Sequence, residues 1–254
     1  MQAATRIRTS GSNCIATTRT TNKLKVQDHK QNPGLRPGFS LERRALRCQS
    51  VAMSEFADRI IGHYERHATA WDEDRTRGAW NDKPWHDRLI AMLPKGASVL
   101  DLGCGSGHPV ARHMVAQGLK VTGVDSSPTF VSLCRSRLPG HTWIFSDMRT
   151  LSLKQSFQGI LAWDSFFHLT PADQRGMFDV FREHTAPSTV LMFNAGPRHG
   201  EAIGSYRGDP LYHASLDPAE YATLLEGIGF KIVAHVVDDP QAGGRTVWLA
   251  QSCE

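Results

Sequence analysis

The chain has 254 residues, 40% of them hydrophobic and 21% charged, with a formal net charge of +4. That length and composition suit one sizeable globular domain and exclude a fibrous or low-complexity chain. The charge is uneven: ten of the 29 Lys and Arg residues, but only two of the 25 Asp and Glu residues, fall within residues 1–50. The rest is mildly acidic and offers no broad basic face for nucleic acid. No apolar run approaches the roughly 20 residues needed to span a bilayer, so a soluble protein without a membrane partner is expected. Five scattered cysteines without a C-x-x-C pair, and twelve histidines without H-E-x-x-H, predict neither a disulfide framework nor a metal site. They fit a reducing, cytoplasmic compartment.

Residues 1–52 are rich in Thr, Ser, Arg, Gln and Asn, with Pro33-Gly34 and Pro37-Gly38 as breakers. So few large apolar side chains cannot offset the entropy of ordering, and a disordered basic leader is expected. It reads either as an organellar transit peptide or as an extension upstream of a functional start at Met53, with the folded domain over 53–254. From Ser54, an N-cap, a helix carries Phe56, Ile60, Ile61 and Tyr64 at helical spacing. A polar, Trp-containing segment over 71–82 precedes a second helix, Pro84 to Leu93.

Strands and helices then alternate. The first strand is 97–101, followed by a helix over 108–117 and a strand from Lys120 to Val124 that ends at Asp125. Ser127 and Pro128 open a helix to about Leu138. Strands follow at Thr142–Ser146 and Gly159–Trp163. Thr170-Pro171 opens another helix, to about His184, and Thr189–Phe193 is the fifth strand. Asp217-Pro218-Ala219-Glu220 is a capping box before a helix that stops at Gly227 or Gly229. Strands 231–237 and 245–250 flank Gly243-Gly244 and must be antiparallel, because their connection is short. The pattern predicts an α/β fold: a Rossmann-like, doubly wound, mostly parallel sheet with helices on both faces and an antiparallel feature at its end.

The chain is organised around Val99-Leu100-Asp101-Leu102-Gly103-Cys104-Gly105-Ser106-Gly107. A strand that ends in glycines and opens a helix lets backbone N–H groups approach a nucleotide-like ligand. A dinucleotide fold wants G-x-G-x-x-G, whereas Gly103, Gly105 and Gly107 form G-x-G-x-G, with His108 at the third position of the dinucleotide pattern. Asp101 would repel a pyrophosphate and attract an amine. Asp125, Asp147 and Trp163-Asp164 fall at the ends of the next three strands, the edge where such sheets bind ligands.

This loop resembles the first motif of class I S-adenosylmethionine-dependent methyltransferases, and the resemblance extends over about residues 54–254. It implies a seven-stranded sheet whose antiparallel last strand lies between strands five and six. It also implies that Asp101, Gly103, Gly105 and Gly107 face the methionine part of S-adenosylmethionine, Asp101 near its amine. Asp125 would accept the ribose hydroxyls, with Ser126 beside the adenine. Asp147 and Met148 would bind adenine, Trp163 would lie near the sulfonium, and Tyr64, with Trp71, would form a lid over the cofactor.

Methyl transfer from a sulfonium needs alignment and exclusion of water, and a base only where the acceptor holds its proton. His168, in Trp163-Asp164-Ser165-Phe166-Phe167-His168, and His213 are the candidate bases, while Phe166, Phe167, Tyr206 and Tyr212 are candidates for an aromatic acceptor pocket. The segment after strand four lacks the Asn/Asp-Pro-Pro-aromatic motif with which relatives grip a planar amide. A small-molecule acceptor and a monomer or homodimer are therefore expected. The alternatives are a protein that binds S-adenosylmethionine without transferring its methyl group, and an NAD-dependent oxidoreductase.

Overall fold

The computed structural model describes residue 53 and residues 55–253; the leader and the cap expected at Ser54 lie outside the described residues. Helix α1 (Ile60–Arg77) and helix α2 (Lys83–Ala91) precede the sheet. The alternating part comprises β1 (Ser98–Leu102), α3 (Val110–Ala116), β2 (Lys120–Asp125), α4 (Pro128–Arg137), β3 (Thr142–Phe145), β4 (Phe157–Ala162), α5 (Pro171–Glu183) and β5 (Thr185–Ala195). There follow β6 (Gly200–Tyr206), β7 (Asp209–Ser215), α6 (Pro218–Gly227), β8 (Phe230–Asp239) and β9 (Arg245–Ser252).

Seven strands form one sheet in the order β3-β2-β1-β4-β5-β9-β8. Strands β1 to β5 are parallel, and β9 runs antiparallel between β5 and β8. The antiparallel strand is thus interior, and β8 forms the edge. The strand order reverses on either side of β1, and the registers Asp101–Gly123 and Asp101–Leu161 bring the ends of β1, β2 and β4 level. The glycine loop therefore sits at the switch point where open α/β sheets take ligands.

Alternating β1 residues face opposite layers, as the pleat requires. Leu100 and Leu102 pack with Phe193 under Met177, Phe178 and Phe181 of α5 and Tyr221 and Leu225 of α6. Val99 packs with Val121 and Leu161 under Trp85 and Leu89 of α2, Met114 of α3 and Val131 of α4. Each such buried side chain contributes roughly 1.5–3 kcal/mol.

The cap residues behave as read. Ser127 accepts from the Phe130 N–H, Thr170 from the Asp173 N–H, and Asp217 from the Ala219 N–H. The capping box is incomplete, because Glu220 turns away to pair with Arg175 at 2.5 Å.

One expectation is corrected and one element was not foreseen. The polar segment from residue 71 is not a break, since α1 continues through it to Arg77. An apolar stripe is lacking there because the helix makes polar contacts on two sides: Glu65 and Asp72 with α4, Arg66, His67 and Asp74 with the β6–β7 hairpin. That hairpin is itself unanticipated, a two-stranded sheet separate from the main one. Side chains take up part of its free backbone: the Tyr212 carbonyl accepts from His168 and the Ala214 carbonyl from Gln174.

Candidate active site

Helix α1, the glycine loop and the loops after β2, β3 and β4 enclose a cavity of about 1130 Å³, counting the space at its open mouth. Ile60, Ile61, Tyr64, Trp71 and Arg75 line it from α1, a stripe at helical spacing.

Asp101 is 3% exposed and lines this cavity, and no donor among the described residues reaches its carboxylate. Burial, and secondarily the charge of Asp125, push its pKa up to about 7. Asp125 is also buried, with its pKa raised to about 6 by burial, against the pull of backbone N–H groups. Its Oδ2 accepts from the Gly105 N–H at 2.8 Å and its Oδ1 from the Ser127 N–H at 2.9 Å. A carboxylate has about four acceptor positions, so capacity remains for a further donor.

Gly103 shows why the loop needs glycine. Its φ is +78°, and an added Cβ would lie 2.3 Å from the Ser165 Cβ, whose hydroxyl donates to the Leu102 carbonyl at 2.7 Å. Gly105, with φ +53°, faces open space. Gly103→Ala should therefore cost about 2–5 kcal/mol and Gly105→Ala about 1 kcal/mol. Urea unfolding of both variants checks the contrast; equal losses would mean that loop packing does not set the requirement.

Asp147 and Met148 line the same cavity. Asp147 caps a 3-10 turn by accepting from the Arg149 N–H, and its carboxylate also binds the Arg149 guanidinium at 2.6–3.0 Å. Burial works to raise its pKa, but these bonds outweigh it and hold the acid below the usual range. Trp163 is 5% exposed on the cavity wall, anchored by its indole N–H donating to Asp82. Ser126 also lines the cavity.

His168 lies on the wall shared with a second, shallow cavity of about 430 Å³, counting the open solvent above it, lined also by Phe167, Leu211, His213 and Arg245. Its Nδ1 is 2.7 Å from the Tyr212 carbonyl, which can only accept, so the ring carries its proton on Nδ1. Nε2 then accepts from the Tyr64 hydroxyl at 2.6 Å. Burial drives the His168 pKa down to about 3 and that of Tyr64 well up, so both are neutral near pH 7. His168 thus meets the cavity as one half of a Tyr–His pair rather than as a free imidazole. His213 stacks on it, with ring centroids 5.0 Å apart.

Of the aromatic candidates, Phe166 and Tyr212 are buried in the protein and Tyr206 bonds Asp74, leaving Phe167 on the second cavity. Asp164 lines both cavities with φ +52°, held by paired bonds to Asn194 and a bidentate contact from Arg245.

Two polar groups on the cavity were not read from the sequence. Among the described residues, Arg75 makes a single 3.4 Å contact, with Asp164, and His108 Nδ1 is buried without a hydrogen-bond partner. Arg75 lies eleven residues, about three turns, beyond Tyr64, so a continued helix would have placed both on one face. The position of His108 depends on tertiary packing alone.

Residues 99–188 match the family model described as a methyltransferase domain. The chain is 28% identical over 144 residues to malonyl-[acyl-carrier protein] O-methyltransferase of Pectobacterium atrosepticum, covering 56% of this chain and 52% of that protein. It is 38% identical over 77 residues to trans-aconitate 2-methyltransferase of Escherichia fergusonii, covering 29% and 31%. The chain thus spans about half the length of the first relative and less of the second. Among solved structures, Burkholderia thailandensis 1,6-didemethyltoxoflavin-N1-methyltransferase superposes with a TM-score of 0.58 at 20% identity, over 89% of this chain and 94% of that one. An amino pentose methyltransferase from Micromonospora echinaspora superposes with a TM-score of 0.57 at 21% identity, over 72% and 95%. These two likenesses are of fold. No helix among the described residues is long and apolar enough to cross a membrane. The matched stretch runs from β1 into β5 and holds the glycine loop at the switch point, so residues 99–188 are similar to a methyltransferase domain, set in a sheet whose fold, with β9 between β5 and β8, is shared with the two solved methyltransferases.

Proposed function

We propose that the chain transfers the methyl group of S-adenosylmethionine to a small-molecule acceptor that enters through the second cavity. The observation that carries this reading is Asp101, a buried carboxylate on the cavity without a donor among the described residues. Such a group costs several kcal/mol unless a cation answers it, and an amino acid's ammonium is the matching partner. Two neighbouring carboxylates suit a phosphate-free ligand and oppose the pyrophosphate of NAD.

In this reading Asp101 and the backbone of Gly103, Gly105 and Gly107 hold the methionine end, and Arg75 pairs with its carboxylate. Asp125 takes both ribose hydroxyls, Ser126 and Met148 flank the adenine, and Asp147 reaches the exocyclic amine. When bound, S-adenosylmethionine supplies a methyl group activated by a cationic sulfur. Trp163 and the α1 residues Tyr64 and Trp71 exclude water from it. An acceptor hydroxyl or amine donates to the Tyr64 oxygen, whose own proton is directed at His168 Nε2, while His213 packs behind the ring. The acceptor is nonpolymeric and partly aromatic, fitting Phe167 and the charge-compensated Arg245–Asp164 pair. A monomer or homodimer acting in the cytoplasm completes the reading.

Calorimetric titration with S-adenosylmethionine and with NAD, followed by a screen for S-adenosylhomocysteine release over candidate acceptors, tests it. NAD binding without S-adenosylmethionine binding would overturn it, and binding without turnover on any acceptor would leave a sensor rather than an enzyme. Asp125→Ala should weaken S-adenosylmethionine binding by about 1–3 kcal/mol through loss of charged hydrogen bonds. An unchanged affinity in the same titration would remove Asp125 from the ribose.

A further inference from the structure

Helix α1 turns a second set of side chains toward the β6–β7 hairpin, away from the cavity stripe. His63 and His67, one turn apart, meet Asp209, the first residue of β7. One ligand atom from each of the three residues lies within 4.8 Å of the others. His67 Nε2 is 2.8 Å from Asp209 Oδ2, which also accepts from Arg66 Nη1 at 2.6 Å. His63 is 5% exposed, and its Nε2 is buried with no hydrogen-bond partner among the described residues. Tyr206 packs its ring edge-on against both imidazoles and thereby closes one side of the cluster.

We propose that His63, His67 and Asp209 bind a divalent transition-metal cation of the zinc type, which pins α1 to the β6–β7 hairpin. Two imidazoles and one carboxylate make a borderline-soft ligand set that suits zinc and leaves a fourth position for water. Calcium and magnesium, which take oxygen ligands, do not match it. Ligand atoms about 2.0–2.2 Å from a tetrahedral ion lie roughly 3.5 Å apart. The widest of the three separations therefore has to close by about an ångström, while His67 Nε2 and Asp209 Oδ2, 2.8 Å apart, have to open by somewhat less, both within reach of small side-chain rotations. Arg66 is the competitor for Asp209, but its side chain is 66% exposed and can swing into solvent. An exposed ion pair of this kind is worth at most about 1 kcal/mol. A bound cation would join the two elements that carry Tyr64 and His213.

The test is titration of the metal-stripped full chain with zinc or cobalt(II) alone. One equivalent should bind at micromolar concentration or below. The cobalt spectrum should show d–d bands without thiolate charge transfer, which would betray a cysteine site instead. Asp209→Asn and His63→Gln should each weaken zinc at least tenfold, whereas His199→Ala, at an exposed position elsewhere, should not. Arg66→Ala should tighten zinc binding, a direction that misfolding cannot produce. At a hundredfold excess over its Kd, zinc should raise the Tm of the parent chain by about 5–10 °C and slow hydrogen exchange in both α1 and the hairpin. Absence of saturable binding, equal affinity in Asp209→Asn, weaker or unchanged affinity in Arg66→Ala, or a thiolate band would each overturn the proposal.

Discussion

Asp101→Asn should give a more stable ligand-free protein that has lost most of its affinity for S-adenosylmethionine. In the parent chain the Asp101 pKa is raised to about 7, chiefly by burial, against about 3.9 in an unfolded chain. Above pH 7 the acid is ionised in both states, and the full penalty, on the order of 4 kcal/mol, weighs on the fold. As pH falls from 7 toward 4, the folded state takes up a proton that the unfolded chain does not, and this penalty is recovered. Asparagine keeps the shape and removes the charge, so thermal unfolding at pH 8 should show a higher Tm for the variant.

His168 works in the opposite direction across an overlapping window. Its pKa is lowered to about 3, so the unfolded chain binds its proton first, and stability is lost as pH falls from about 6.5 toward 3. The two slopes oppose each other in the parent between about pH 6.5 and 4, so Asp101→Asn should lose stability in acid more steeply. Binding should behave differently again. Loss of a charged hydrogen bond to the amine costs about 1.5–3 kcal/mol, or roughly tenfold to a hundredfold in Kd. The parent affinity should fall below pH 7, where protons compete for Asp101, and the variant should bind weakly with little pH dependence. A variant that keeps its affinity, or a ligand-free Tm below that of the parent at pH 8, would show that Asp101 serves the fold rather than a cation.

What could be read before the structure was whatever chain order alone determines. The ends of successive parallel strands must share one edge, so Asp101, Asp125, Asp147 and Trp163 converge in any α/β winding of these segments. Caps at Ser127 and Thr170 announced their helices because the signal is local. The β6–β7 hairpin gave no such signal: β6 is mostly exposed on both faces and lacks a period-two apolar pattern. Helix α1 beyond Ala70 was hidden for a similar reason, since Asp72 and Asp74 are spent on ion pairs with other elements and Arg75 lines the cavity. The Tyr64–His168 contact joins residues 104 positions apart and belongs to tertiary structure alone. The floor of the first cavity is therefore written in strand order, and the walls of the second in the packing of α1 and the hairpin over it.

His168→Asn should separate acceptors by the protonation state of the atom that receives the methyl group. Because Tyr64 donates to His168 Nε2, the phenol oxygen turns its lone pairs toward the cavity and can accept the acceptor's proton while passing on its own. A neutral imidazole with a pKa near 3 is a poor base in the ligand-free site. For a hydroxyl acceptor methyl transfer would change that balance, because an imidazolium at His168 would take the place of the positive charge that the bound cofactor would lose. The Tyr212 carbonyl is already placed on Nδ1–H to stabilise the cation. For an acceptor hydroxyl or ammonium that keeps its proton near pH 7, the variant should lose about 10²–10⁴-fold in kcat. Its affinity for S-adenosylmethionine should stay within about threefold of the parent, since in the proposed site no ligand atom touches this ring. Tyr64→Phe should lower kcat for the same acceptors and also weaken cofactor binding, because it removes part of the lid. An acceptor that is already ionised, such as a carboxylate, needs no base and should lose less than tenfold in His168→Asn. Steady-state kinetics with one acceptor of each kind decides the matter. Equal losses on both would reduce His168 to a packing residue, and retained kcat on the protonated acceptor would remove the Tyr64–His168 pair from the proton path.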